Sequence, residues 1–457
     1  MHMSALHVIA KQAAVHDKRA AWNIETDVLV VGGGAAGVAA AYTAARQGLN
    51  VVVLERYGFC GGGAVAGLSG TICGLFLAHE SRDHAPERLV HGFVDEFIRE
   101  MESRNGLTSP VRYGQTFTLV HNPHAWRESA EALLASQNVK VLYHTTVTDV
   151  LMDGDRVAGV IAYTKQGKLD VRAKITIDAS GDADLGAMAG LETRVGLDGN
   201  VQNPTMIFRL AGVDVERFLA EYGEDAILPE RVSKLISELN ANGAYKLPRA
   251  KIFLFPTPRP NELICNCTRI VGADGRELNP LIAADFTEAE YEGRNQVREY
   301  ERFFRDHLVG CEDAYLNDTG VQVGIRQTRQ IKGVQTLGNE DVVTGAKRKD
   351  GIARSPWPIE LHTGAKPVLR WLFEDYYEIP YECFVPERGE SLLFAGRCLS
   401  SEHEAMASAR VTAQCFSYGH AIGHAAVLAV KDNMAVRDIK GEDLRLLLNR
   451  DGAQLGE

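Results

Sequence analysis

Three glycines, Gly32, Gly34 and Gly37, follow a short β-branched run from Asp27 to Val31 and open an alanine-rich stretch, Ala35 to Gln47, that Gly48 closes. They give the spacing G-x-G-x-x-G inside a strand–turn–helix–strand unit whose second strand reads "NVVVLE". Such spacing serves phosphate binding: the first glycine makes the tight turn, the second admits a pyrophosphate against the backbone, and the third lets helix and strand pack closely. The helix N-terminus adds free N–H groups and the positive end of a dipole. Glu55 stands 23 residues after Gly32, at the strand end, where a carboxylate can take both ribose hydroxyls, and Arg56 beside it brings a positive group near the adenosine. The unit reads as a dinucleotide site.

Other residue types suggest further chemistry. Arg326 and Arg329 in "GIRQTRQIKG" are expected on a strand, where a three-residue offset sends them to opposite faces, so at most one reaches a common cavity. His403 and Arg410 lie in "AGRCLSSEHEAMASAR", and His362 in "IELHTG". His79, His84, His121, His124 and His420 are read as structural or surface. The eight cysteines form no C-x-x-C and no zinc-spaced cluster, so no metal site is expected. Cys265 and Cys267 are read as packing, both on one face of a strand.

The residues after Glu55 distinguish between dinucleotides. "RYGFCGGGAVAGLSGTICGLF" is a second glycine-rich segment, with Gly61, Gly62 and Gly63, and it resembles the flavoprotein pattern in which glycines skirt a ribityl chain and isoalloxazine. "KITIDASGDADL" is a strand ending in Ala179, Ser180, Gly181 and Asp182, and Ser391 to Val430 reads as strand, Gly396 turn, loop and small-residue helix. With "PTMIFRL" and "NCTRIVGAD" in the same order, the chain from about residue 25 to 430 resembles the FAD-dependent oxidoreductases of the glutathione-reductase-type two-dinucleotide-fold superfamily. Within them it looks like the bacterial group that carries GIRxTRxIxG and AGRxxSxxHEAxxSxR.

That resemblance implies noncovalent FAD, seated by the fingerprint glycines, Ala36, Glu55, Arg56, Gly61 to Gly63, Val147, Ala179 to Asp182, Gly396 and Arg397. Cys60, where the group commonly has an aliphatic residue, departs from the pattern. By similarity in order and region to fumarate reductase and succinate dehydrogenase flavoproteins, His403 and Arg410 are expected as proton carrier and carboxylate clamp. This chain lacks their HGxNR string. His362, Arg326 and Arg329 complete the catalytic candidates. The helix starting near Thr412 is expected to aim its N-terminus at the flavin pyrimidine edge.

These residues need elements to hold them. At 457 residues, two domains are expected in an α/β fold: a discontinuous Rossmann-like FAD-binding domain with an inserted α+β substrate domain. The FAD domain is assigned to 25–75, 120–195 and 385–432, the substrate or cap domain to 76–119 and 196–384. Residues 1–24 form a tail and 433–457 a C-terminal extension. The tail is either disordered or an arm on a neighbouring copy, which leaves a homo-oligomer open.

A formal charge of −11, with no basic block, argues against nucleic acid, and no apolar run is long enough for a membrane span or signal core. A cytoplasmic oxidoreductase is expected, removing a hydride from a small organic substrate. The alternatives are reduction of an activated C=C bond and a flavin-bearing binding or electron-transfer subunit. Because no second G-x-G-x-x-G follows a strand, oxygen, a quinone or a redox carrier is expected as electron partner.

Overall fold

The computed structural model describes residues 22–361 and 368–456. His362 and nearly all of the N-terminal tail therefore lie outside the described residues.

The first strand, β1 (Trp22–Val31), begins before the apolar run that announces it. Trp22 and Ile24 turn inward while Asn23 and Glu25 stay exposed, and Val28 to Val31 are then buried on both faces, as a parallel strand between neighbours requires. α1 (Ala35–Arg46) and β2 (Val51–Leu54) complete the βαβ unit. β1 runs parallel to β2, and β2 to β3 (Lys140–Leu142). On its other side β1 runs parallel to β6 (Gly167–Asp178). β6 continues the sheet through antiparallel β5 (Arg156–Thr164) and β4 (Thr146–Asp153), while its C-terminal end pairs in parallel with β11 (Leu392–Phe394). Seven strands thus form one mixed sheet. Its parallel strands end together at Val31, Leu54, Asp178 and Phe394, the edge at which such sheets bind ligands.

α5 (Thr412–Lys431) lies against α1 at backbone distance. A Cβ on Gly419 would meet the Ala36 carbonyl oxygen at 2.0 Å, and one on Gly423 the Ala40 oxygen at 2.8 Å. Two glycines one turn apart are what lets these helices touch. Past α5, α6 (Gly441–Arg450) is tied back by Asp451, whose Oδ2 accepts from His420 and His424 at 2.8 and 3.0 Å and pairs with Arg46.

A second sheet, in the order β8 (Phe253–Pro256), β9 (Glu262–Asn266), β7 (Phe208–Ala211), β10 (Tyr315–Thr319), is antiparallel throughout. Period-two alternation splits its side chains. Phe208, Leu254, Leu263 and Cys265 face the long helix α3 (Ala283–His307), together with Cys267 beyond the strand, whereas Phe253, Phe255 and Ile264 join Tyr113 and Trp357 in a separate cluster. The charged stretch of α3 covers an apolar stripe of Ala289, Val297, Tyr300, Phe303 and Phe304, all buried in that core.

The core does not divide at the sequence boundaries. Phe93 and Phe97 of α2 (Phe93–Glu102), from a segment assigned to the cap, pack on Phe416 of α5, with Phe97 4.7 Å from it between ring centroids. Tyr377, Ile379 and Tyr381 share that core. The strand expected around "GIRQTRQ" is shorter than the motif, beginning at Arg329. Before it, Arg326, Gln327 and Thr328 are buried and spend side chains on hydrogen bonds that a two-sided ladder would not reach. Among the described residues no helix is long and apolar enough to cross a membrane.

Candidate active site

One elongated cavity runs from the carboxyl edge of the large sheet to the inner face of the antiparallel one. Its first end is made of backbone. Gly32 turns with φ +101°, and a Cβ there would meet the Ala179 carbonyl at 2.5 Å. Gly34, Ala36, Gly61, Gly62 and Gly63 face the space beyond this turn, with the α1 N-terminus behind them. Glu55 closes this end. Its Oε2 accepts from the Gly33 amide at 2.7 Å and its Oε1 from the Tyr57 amide at 2.8 Å, so two backbone donors fix the carboxylate. Burial raises its pKa, and those two bonds hold it back. Arg56 lies over the Tyr57 ring and donates to Gln322 at 3.1 Å, and Val147 lines the same end.

Midway, an ionic clasp around the buried Asp182 holds the wall. Asp182 Oδ1 accepts from Arg397 Nη2 at 2.7 Å and Thr328 Oγ1 at 2.6 Å, while its main-chain oxygen accepts from Arg329 Nε at 3.0 Å. Burial alone would raise Asp182, but Arg397 and Thr328 outweigh it and keep the carboxyl below its usual range. Arg397, Ser180, Gly181 and Gly396 face the cavity, whereas Asp182 does not. Asp178, buried and pushed up to about 6, accepts from Ser180 and from the Leu185 amide, which bends the chain away from β6.

The far end is a compartment of different character. Tyr113, Trp357, Phe255 and Ile207 give apolar walls, with Tyr113 and Trp357 stacked at 5.6 Å. Into it come Arg326, Arg410 and Glu360. Arg326 is pushed down to about 9 by burial, with Arg410 acting in the same direction and Glu360 against it. Its Nη1 donates to the Asn203 carbonyl at 2.7 Å. Burial also lowers Arg410, and Glu360 opposes. The Tyr113 hydroxyl donates to Glu360 Oε1 at 3.3 Å. Val411, Thr412 and Cys415, the first turn of α5 and the residue before it, border both compartments.

The expected residues therefore separate. Arg410 and Arg326 meet in one compartment, but His403 and Arg329 do not line the cavity. His403 opens α4 (His403–Ala409), where burial lowers its pKa and its Nδ1 has no hydrogen-bond partner among the described residues. Arg329 is turned to Asp182 and Asp184 in the clasp. Gly37 serves packing, since a Cβ there would stand 1.9 Å from the Gly32 oxygen. Cys60 packs against Gly33 and is buried.

Sequence reading missed Glu360, Tyr113, Trp357 and Asp184. The signal for Glu360 was present: a carboxylate inside the apolar run "PIEL", two residues before His362. Nothing in their local sequence marks Tyr113 or Trp357, because long-range packing alone brings them together.

A family model described as "FAD dependent oxidoreductase" matches residues 27–448. Among curated relatives, the digeranylgeranylglycerophospholipid reductase of Thermoplasma acidophilum is 26% identical over 210 residues, 44% of this chain and 51% of that one. The thiamine thiazole synthase of Sulfolobus acidocaldarius is 31% identical over 177 residues, 36% of this chain and 59% of that one. The chain thus spans about half the length of the curated relatives it matches. A solved geranylgeranyl bacteriochlorophyll reductase-like protein, also from Thermoplasma acidophilum, aligns with 94% of this chain and 83% of its own at 15% identity, with a TM-score of 0.49.

Proposed function

We propose, from the premise that the chain belongs to the FAD dependent oxidoreductase family, that it removes a hydride from a small organic substrate held by Arg326, Arg410, Glu360 and Tyr113. The reacting C–H would stand beside a hydroxyl, amine or carbonyl. The finer placement, in the glutathione-reductase-type two-dinucleotide-fold superfamily, rests on the motif strings at Gly324–Gly333 and Ala395–Arg410.

The residues present fit FAD. Space beside Gly34 is open, whereas most fingerprint neighbours are packed against backbone, and Glu55 stands at the strand end with its carboxylate fixed. Gly32, Gly34, Ala36 and Arg397 would hold the pyrophosphate region, Glu55 the ribose, and Gly61 to Gly63 the ribityl side. Bound flavin would supply hydride acceptance.

The chain's own groups divide the remaining work. Arg326 and Arg410 suit bidentate recognition of an anionic end, which Lys cannot reproduce. Glu360 is placed to take the proton of a substrate O–H or N–H, and the Tyr113 hydroxyl on its Oε1 sets the carboxylate's orientation. Trp357, Phe255 and Ile207 give that proton apolar surroundings. The α5 N-terminus turns its dipole toward the border of the two compartments, favouring negative charge there. The observation that carries the reading is the meeting of the buried Arg326, the partly buried Arg410 and Glu360 in the cavity that also holds the glycine cradle. Oxygen, a quinone or a redox carrier would then take the electrons.

The test is an anaerobic panel of hydroxy, amino and oxo acids added to purified yellow protein. Bleaching of the 450 nm band by reduced acids supports hydride removal. Bleaching only by dithionite or viologen, with reoxidation by an unsaturated acid, would favour C=C reduction instead.

A further inference from the structure

The far compartment carries more positive charge than its acids answer. Arg326 and Arg249 are 8% and 7% exposed. Arg249 Nη1 donates to Asn266 Oδ1 at 3.1 Å, but its Nε and Nη2 are buried with no hydrogen-bond partner among the described residues, and its guanidinium stacks 4.2 Å over Phe253. Arg410 Nε is likewise buried without a partner, and its Nη2 reaches Gln202 only at 3.4 Å. Arg249 and Arg410 both press on Arg326 electrostatically, and Glu360 is the carboxylate that opposes them. Among the described residues, the guanidiniums of Arg326, Arg410 and, from behind, Arg249 act on this chamber against the carboxylate of Glu360, and a buried cation is costly to hold unless an anion answers it.

Asn266 gives the surplus a direction. An arginine has donors and no acceptor, so Asn266 must turn its Oδ1 to Arg249. Its amide N–H2 is then the end left for the cavity it lines. Arg249 does not itself line the cavity, yet it fixes that donor and adds its charge from behind. Arg326, Arg410 and Asn266 therefore offer donors only, in a chamber that they share with Glu360 and the apolar walls.

We propose that this compartment binds a small dianion, an organic molecule with two anionic groups, one on Arg326 and Arg410 and the other on Asn266 backed by Arg249. The inference rests on the reading of this compartment as the substrate site and narrows its substrate class. A dicarboxylate and a phosphorylated acid share that chemistry.

Calorimetric titration of the holoenzyme with succinate, butyrate, succinamide and 2-phosphoglycolate tests it. Succinate is expected to bind at least tenfold tighter than butyrate, and succinamide not measurably. Tighter binding of 2-phosphoglycolate than of succinate assigns the second group as phosphate, and the reverse order assigns it as carboxylate. Arg249→Gln should bring the succinate-to-butyrate ratio to within threefold of one, Arg249→Lys should keep most of it, and Asn266→Asp should abolish succinate binding, with flavin content retained in each. Equal binding of succinate and butyrate, no binding of any of the four, or an unchanged ratio in a folded Arg249→Gln protein overturns the inference. Should the ranking hold while no acid bleaches the flavin, the hydride-removal reading fails and the dianion site stands. Bleaching by substrates with a single charge, with no ranking, has the opposite meaning.

Discussion

A Cβ on Gly34 would stand 3.7 Å from the Cα of Gly62 and meet no other described atom within 4 Å, so the two glycine-rich segments approach each other across open space. Gly34 has ordinary extended angles, φ −71° and ψ −178°, which valine adopts readily. Gly34→Val should therefore fold with the melting temperature of the flavin-stripped parent and purify colourless, because the side chain fills the pyrophosphate's place. Gly37→Ala should behave differently. Its methyl would stand 1.9 Å from the Gly32 oxygen, and overpacking of this kind costs about 1–3 kcal/mol, here at the upper end because the obstacle is backbone. Thermal melts and the ratio of absorbance at 450 and 280 nm read both outcomes, and a yellow Gly34→Val protein would refute the cradle.

Arg410 and Glu360 face each other in the compartment, and removing either should leave FAD bound. A lost charge-assisted hydrogen bond is worth about 1.5–3 kcal/mol, so Arg410→Ala should lower kcat/KM roughly 10- to 150-fold, with Arg410→Lys restoring little. Glu360→Gln should lower kcat by about 10²- to 10⁴-fold, as loss of a general base does. His403→Ala should turn over normally, since that residue does not line the cavity. Steady-state kinetics on the substrate that the panel identifies decides; a large loss in His403→Ala would return the proton to the histidine.

His121 is fully buried beside Trp126, 4.6 Å between ring centroids, with neither ring nitrogen hydrogen-bonded among the described residues. Burial pushes its pKa down to about 3, against about 6.5 in an unfolded chain. The folded protein thus keeps the ring neutral where the unfolded chain binds a proton. This contribution to stability is complete above about pH 6.5 and is lost as pH falls toward 3, by up to about 1.4 kcal/mol per pH unit. Melting temperatures from pH 7.5 to 5 should fall more steeply for the wild type than for His121→Phe; parallel curves would show that the ring is not buried neutral.

Cys60 lies under Gly33, buried, with its thiol pushed up to about 12 by burial and the Tyr143 hydroxyl 3.7 Å from its sulfur. A neutral thiol turned from the cavity is a poor nucleophile toward a flavin ring. Acid precipitation should leave the yellow colour in the supernatant as FAD, and Cys60→Ser should purify as yellow as the parent. Colour in the pellet of the wild type, lost in that variant, would show a thioether.

What the sequence determined was local. Gly32, Gly34, Gly37 and Glu55 sit within one βαβ unit, so their spacing fixes a turn, a helix start and a strand end without help from distant chain. Arg410 was legible for a similar reason, since it lies two residues before the small-residue helix that docks on α1. The tertiary structure decided everything that depends on contacts far apart in the chain. Arg326 and Arg329 are three residues apart, yet one enters the cavity and the other serves the Asp182 clasp. His403 does not line the cavity although its motif looks catalytic. Tyr113 reaches Glu360 across 247 positions. Periodicity reports which face of an element is buried, but not what it is buried against, and the far compartment is built where faces of separate elements meet. That is why the cradle could be read from the sequence and the chamber beside it could not.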